Sequence, residues 1–358
     1  MSFDKNEIKN SLTIEQVFDL VNELGGNAEM ENDDCFIAQT ICHNPIGQGS
    51  RKLYYYDNSK LFKCYTGCLN DTFDIFELVM KIKKFSLYNS IKFVASYFGF
   101  IEKVDDFSEY ELNVEDWKYF NKVGNFNADT KKKRIELKTY DKSILKHYPQ
   151  PRILDWEKEG ISYHQILKHN IKYDPVNQAI LIPYYDLQDN LIGIRQRTLI
   201  KDEEAFGKYR PAYLNGTLYN HPLGFSLYNL NIALNDIQKT KSAIVFESEK
   251  SVLQLADMLD IDIGVAVCGS SLTEYQFKLL YNEGVEEIII GFDKQFKQIG
   301  DDEFKQWTKK LEKIHKKYSN YCKISFLFDK FNLLSYKSSP TDEGKEKFLY
   351  LLNNKVVL

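Results

Sequence analysis

The feature that most constrains this chain is the rhythm of residues 241–329, where near-continuous apolar runs alternate with amphipathic stretches. The runs are SAIVFE (242–247), IGVAVCG (263–269), EEIIIGFD (286–293) and KISFLFD (323–329). Between them lie EKSVLQLADML (249–259), LTEYQFKLLYNEG (272–284) and a segment over 301–318, each with helical spacing. A strand that is apolar on both faces must be covered on both, so the pattern predicts an α/β unit with a parallel sheet between helices. In such a sheet chemistry gathers beyond the carboxyl ends of the strands. Two runs end there in Glu247 and Asp293, a third ends at Asp329, and Asp342 follows in SSPTDEGK. Acids brought from separate strands to one cleft suit Mg²⁺ or Mn²⁺ when the ion must also hold phosphates.

The rest of the chain reads differently, and the whole is expected to be a multidomain α+β protein. At 358 residues it exceeds what one compact core usually holds. AILIPYYDL (179–187) and NLIGIRQRTL (190–199) form two strands joined across residues 188–190. Residues 141–175 read as helical, and 205–230 as irregular. A polar stretch from 102 to about 140, acidic first and then KKKR at 131–134, reads as a tether. The expected units are 1–100, the linker 101–140, a basic mixed α+β unit over 141–240 and the parallel-sheet unit over 241–358.

Four of the six cysteines (Cys35, Cys42, Cys64, Cys68) fall within 1–100, where clustering favours metal over disulfide. A helix over 12–24 stops at Gly25-Gly26; LYYY (53–56) and KLFKC (60–64) flank Asp57-Asn58-Ser59 as a hairpin; helices follow over 72–82 and 91–98. Cys42-His43 and Cys64-x3-Cys68 thus bracket a hairpin, a thiolate and imidazole set that selects structural zinc. Adjacent ligands strain a tetrahedron, so Cys35 competes for the fourth place. Tyr54, Tyr55, Tyr56, Phe62 and Tyr65 interleave with Arg51, Lys52, Lys60 and Lys63, a pattern suited to stacking single-stranded bases, although half of the rings must be core. Formal net charge is −4, so any nucleic-acid contact must come from local basic stripes. The lysines of 303–318 read as a solvated helix face. No apolar run is long enough for a membrane helix and the amino terminus carries no signal core, so a cytoplasmic protein with no membrane partner is expected.

The segment 241–345, with strand-end Glu247, GFD at 291–293 and SPTDEGK, resembles the Toprim domain of DnaG-type primases, topoisomerases and some nucleases. NLIGIRQRTL, GKYRPAYLN and HPLGFSLYNL resemble the basic subdomain preceding it in primases, and the Cys42-His43, Cys64, Cys68 module resembles the primase zinc-binding domain. The three occur in primase order, and the wording is closest to primases of phages and mobile elements. The resemblance implies RNA-primer synthesis from NTPs on single-stranded DNA, with structural Zn²⁺, catalytic Mg²⁺ or Mn²⁺, a primer–template duplex as product and a replicative helicase as partner. It assigns Glu247 as general acid/base and Asp293 as metal ligand, with Asp329 and Asp342 as further ligands. Arg195, Arg197, Lys208, Tyr209 and Lys250 are expected at template or nucleotide. Two departures stand out. The family's Asp-x-Asp is here Asp293-Lys294-Gln295, which Glu249 or Asp329 would have to offset, and the zinc spacings differ from the usual ones. The chain ends at LLNNKVVL, so the helicase-docking domain is expected to be missing. A Toprim nuclease, or a weak or inactive protein that binds single-stranded DNA, are the rival readings.

Overall fold

The structure, a computed structural model, describes residues 5–66, 68, 72–100, 137–201 and 208–358. Most of the expected tether, including KKKR, lies outside the described residues. The chain opens with α1 (Lys5–Ser11) and α2 (Ile14–Glu23). The break between them is a capping box: the Thr13 hydroxyl accepts from the Gln16 backbone N–H, and the Gln16 side chain accepts from the Thr13 N–H. The sequence reading of one helix over 12–24 missed α1, which offers little apolar periodicity; Ile8 is its one buried aliphatic residue.

Five antiparallel strands follow in sequential order: β1 (Glu29–Asn32), β2 (Cys35–Gln39), β3 (Arg51–Tyr56), β4 (Leu61–Cys64) and β5 (Thr72–Phe73). The expected hairpin is β3–β4, with Leu53 opposite Cys64 and Tyr56 opposite Leu61. Strand alternation sends Leu53 and Tyr55 inward. Tyr55 packs between Phe36 and Phe62 with ring centroids 5.0 and 4.8 Å away. Burial of each such ring contributes roughly 1.5–3 kcal/mol. α3 (Ile75–Lys83), capped by Asp74, and α4 (Leu87–Tyr97) close this unit.

The 141–175 reading as helix needs correction. Pro149, Pro151 and Gly160 break it into a 3₁₀ turn over Lys142–His147, then α5 (Leu154–Lys158), α6 (Tyr163–Lys168) and a strand, β6 (Lys172–Asp174). β6 opens a second antiparallel sheet, in sequential order with β7 (Ala179–Tyr185), β8 (Leu191–Thr198) and β9 (Tyr209–Pro211). The 205–230 stretch is likewise more ordered than expected, since β10 (Tyr213–Leu214) and β11 (Thr217–Leu218) pair within it. Strands of two or three residues are too short to show an alternation.

After α7 (Leu230–Thr240) come β12 (Ser242–Phe246), α8 (Glu249–Met258), β13 (Gly264–Ala266), α9 (Glu274–Asn282), β14 (Glu287–Ile290), α10 (Asp302–Tyr318), β15 (Lys323–Phe326) and α11 (Lys345–Asn353). The four strands form the expected parallel sheet, in the order β13–β12–β14–β15. β12 and β14 are neighbours although β13 lies between them in sequence, so the chain reverses direction there, and the crevice beyond their carboxyl ends is the topological switch point. Among the described residues no helix is long and apolar enough to cross a membrane.

Candidate metal centres and the cationic strand

The turn after β2 presents Cys42 and His43, the end of β4 presents Cys64, and the loop beyond presents Cys68. Their ligand atoms lie within 4.8 Å of one another. His43 Nδ1 is 3.2 Å from Cys42 Sγ, 3.8 Å from Cys64 Sγ and 3.4 Å from Cys68 Sγ; Cys42 and Cys68 sulfurs are 3.6 Å apart. A tetrahedron with zinc–sulfur bonds of about 2.3 Å has edges of about 3.7 Å, so the donor set fits zinc. The adjacency of Cys42 and His43 is accommodated because the ring turns back through Nδ1. Cys35 is outside the group; it sits in β2 opposite Tyr56 and donates weakly to the Phe36 carbonyl. Burial, then the neighbouring thiols, push the Cys42 thiol well above its ordinary range, the situation a cation relieves.

On the outer face of this sheet Tyr54 and Tyr56 are stacked at 6.3 Å, Tyr65 meets Tyr54 edge-on at 5.2 Å, and Lys63 lies 5.0 Å over the Tyr65 ring. Of the five rings, Tyr55 and Phe62 are core and Tyr54, Tyr56 and Tyr65 lie outside, the strand residues dividing as alternation requires. Lys60 does not join the outer face: its ammonium donates to Asp57 and to the Leu12 carbonyl.

At the switch point Glu247 directly follows β12 and Asp293 lies three residues beyond β14. Gly291 permits this approach, because a Cβ there would lie 2.9 Å from the Phe246 ring. Asp293 Oδ1 is buried without a hydrogen-bond partner, while its main-chain carbonyl accepts from Trp307 Nε1 at 3.1 Å. Burial, then the charges of Glu247 and Asp342, hold the Asp293 carboxyl well above the usual range. Burial raises Glu247 to about 7, against the opposing pull of Lys310, whose Nζ lies 3.4 Å from Glu247 Oε1. Asp342 is tied to Lys250 at 2.9 Å, to Gln254 Nε2 at 3.2 Å and to the Ser339 N–H at 2.9 Å. Asp293 therefore feels the charges of both Glu247 and Asp342. Asp329 is engaged elsewhere: its oxygens accept from Lys294 Nζ at 3.0 Å and from the N–H groups of Leu333 and Leu334. Glu249 is not at the acid pair either. It is buried, accepting from Arg195 Nη1 at 3.2 Å and from the Tyr184 hydroxyl, which also lies 2.8 Å from Cys268 Sγ.

That contact redefines the cationic strand. Arg195 of β8 is buried, with its guanidinium 5.4 Å from the Tyr209 ring centroid. Arg197, two residues on, lies 5.5 Å over Trp156, and its buried Nε lacks a hydrogen-bond partner. Lys208 is exposed beside β9, and Lys250 bridges Glu159 and Asp342. Sequence reasoning missed the reach of α10. Its Trp307, Leu311, Ile314 and Tyr318 are buried as expected, but Lys310 faces Glu247 and Lys313 donates to Asn58, so its lysines are not all solvated. It also missed Tyr184 and Cys268, which look like ordinary strand residues until their partner Glu249 is seen.

Fold and site together define an α+β protein with a zinc-fitting Cys₃His centre near its amino terminus and a parallel sheet bearing a half-buried acid pair. The chain is 36% identical over 376 aligned positions to the SPbeta prophage-derived uncharacterized protein YorJ of Bacillus subtilis (strain 168), covering 99% of this chain and 98% of that protein, and it belongs to that family. It is also 35% identical over 126 residues to the DNA primase of Synechococcus elongatus, 34% of this chain and 17% of the primase. No family model matches the chain. Among solved structures it is similar to the Aquifex aeolicus primase (zinc binding and RNA polymerase domains), with a TM-score of 0.47 and 18% identity over 100% of this chain and 87% of that one. Similarity to the DnaG catalytic core has a TM-score of 0.46 and 21% identity, covering 60% of this chain and 78% of that one.

Proposed function

We propose that this chain is a Toprim-type DNA primase that builds short RNA primers from NTPs on single-stranded DNA. The observation that carries the reading is the pair of half-buried acids at the switch point, one with a buried, orphaned oxygen. Partial likeness to a DNA primase supports it. An unpartnered buried carboxylate oxygen beside a second carboxylate suits a divalent cation. Glu247, Asp293 and Asp342 would hold Mg²⁺ or Mn²⁺; Asp329, pinned by Lys294, is assigned to the loop. Such an ion supplies charge that stabilises attacking and leaving oxygens in nucleotidyl transfer.

The protein's own groups do the remaining work. Glu247, poised near 7, accepts the proton of the attacking 3′-hydroxyl as that oxygen bonds to the α-phosphorus and pyrophosphate leaves. Arg197, half-buried over Trp156, would contact phosphate through its guanidinium, with Lys208, Tyr209 and Lys250 as further candidates. Arg195 anchors β8 to Glu249. The exposed face of Tyr54, Tyr56 and Tyr65 stacks template bases.

One observation favours a single-strand binder without turnover: Lys310 is paired with Glu247, and Gln295 stands where the resemblance implies a second acid. Template-dependent NTP incorporation with Mg²⁺ or Mn²⁺ separates the readings. Primers are expected, and Asp293→Asn and Glu247→Gln are each expected to slow synthesis about a hundredfold or more with template binding nearly unchanged. Equal synthesis by both variants and the wild type refutes the assignment; binding without synthesis selects the second reading, and cleavage selects a nuclease.

A further inference from the structure

The buried apolar residues of 8–98 form a core of their own, separate from the clusters of the two later sheets. The amino-terminal unit is nonetheless docked, and largely through polar contacts. Gln16 Nε2 donates to the His221 carbonyl at 3.1 Å, Asn220 Nδ2 to the Tyr97 carbonyl at 2.8 Å, and Lys313 Nζ to Asn58 Oδ1 at 3.2 Å. Phe100 also meets Phe225 edge-on at 5.5 Å, so opening the seam exposes that ring pair while each core keeps its own buried cluster.

What the docked unit covers is informative. Along α2, Glu15, Asp19 and Glu23 recur every four residues, so they line one helix face about 6 Å apart. Burial raises the Glu15 carboxyl, and that of Asp19 to about 7, against the opposing pull of Arg195 on both and of Arg210 on Asp19. Glu15 Oε2 is buried with no hydrogen-bond donor. Asp19 and Glu23 form one wall of a cleft of about 610 Å³ whose opposite wall is Gln196, Arg210 and Tyr213. A second contact repeats the theme: the Asp33–Asp34 turn lies against Lys310, beside Glu247. An acidic surface thus sits on the cations of β8, β9 and α10, where a nucleic-acid backbone would be expected.

We propose that the acidic stripe of α2, with the Asp33–Asp34 turn, occupies the phosphate seat of the core, so that single-stranded DNA and the docked metal-binding unit compete for one set of cations. The proposal rests on the nucleic-acid reading above but not on turnover. In the docked state the strand's phosphates meet Glu15, Asp19 and Glu23 and are repelled; once the unit lifts, that repulsion goes and Arg210 and Lys310 face the strand without the acids of the unit, while Arg195 stays with Glu249. Template binding is then coupled to undocking, and each excludes the other.

The test uses the full zinc-loaded chain and a fluorescein-labelled oligothymidylate read by anisotropy at fixed salt. Glu15→Gln/Asp19→Asn/Glu23→Gln is expected to bind the oligonucleotide about tenfold more tightly than wild type, which corresponds to about 1.4 kcal/mol. Glu23→Gln alone, at an exposed position that cannot upset the core, is expected to tighten binding about twofold. Small-angle scattering should show wild type expanding when the oligonucleotide is added. Unchanged or weaker binding by both variants overturns the proposal. Tighter binding without primer synthesis by any protein refutes turnover and leaves the latch standing; synthesis by wild type with unchanged affinities does the reverse.

Discussion

Replacing Glu249 with Gln tests how the basic strand is held to the parallel-sheet unit. Arg195 comes from β8 and Glu249 from the first turn of α8; their side chains are 10% and 2% exposed and 3.2 Å apart. Tyr184 and Cys268 complete the nest, and little water-facing surface remains through which the arginine can recover hydration. Loss of one charge strands the other, which costs about 3–5 kcal/mol. At about 2–4 °C per kcal/mol for a unit of this size, the melting transition of the core should fall by about 6–20 °C. Differential scanning calorimetry reads this, with the zinc unit's transition as internal control. The double variant Arg195→Met/Glu249→Leu removes both charges and keeps volume, and it should recover most of the loss. A Glu249→Gln protein melting within about 2 °C of wild type, or a double variant no better than the single ones, would refute the claim that this pair is a buried, mutually dependent one.

Metal analysis should find about one Zn²⁺ per chain, and Cys64→Ser and Cys68→Ser should each lose it with unfolding of the 8–98 core while the later sheets keep their transition; full zinc retention in both variants means the ligand set is wrong. Magnesium affinity, measured by titration calorimetry, should rise with pH through about 7 and release protons, because Glu247, raised by burial to about 7, is protonated below that range and must ionise to bind, and burial raises Asp293 in the same direction; a pH-independent affinity between 6 and 8, expressed on the scale of about one proton per site, would exclude Glu247 as a ligand.

How much was legible in the sequence varied with the range of the interaction. The parallel sheet, the hairpin β3–β4 and the strands β7 and β8 were readable because each carries its own periodicity, and Glu247 and Asp293 were placed by the strand ends alone. The Cys42, His43, Cys64 and Cys68 group followed from residue types and spacing, although which cysteine completes the set depended on ring orientation. Asp329 and Glu249 were misread for one reason: a carboxylate near a strand end is neutral in meaning until its partner is known, and Lys294 and Arg195 claim them from 35 and 54 residues away. The α2 stripe of Glu15, Asp19 and Glu23 went unread, because the apolar spacing alone defines that helix in the sequence and the meaning of the acids lies in β8 and β9, which only the tertiary fold brings opposite.

The tripeptide Asp293-Lys294-Gln295 shows how these constraints meet. The chain is extended there, so successive side chains diverge. Asp293 joins the acid pair, and Lys294 turns into the protein, where it donates to Asp329, Asn332 and the Leu334 carbonyl and so pins the loop after β15. Gln295 lines a cleft of about 220 Å³ together with Asp33, Asp34 and Lys310. A carboxylate at 295 would therefore confront the Asp33–Asp34 turn of the docked unit and compete with Glu247 for Lys310. Like charges in so confined a cleft repel more strongly than in water, whereas an amide carries no charge into it. Neutral Gln295 thus suits the docked arrangement, in which Lys310 is paired with Glu247 and faces Asp33.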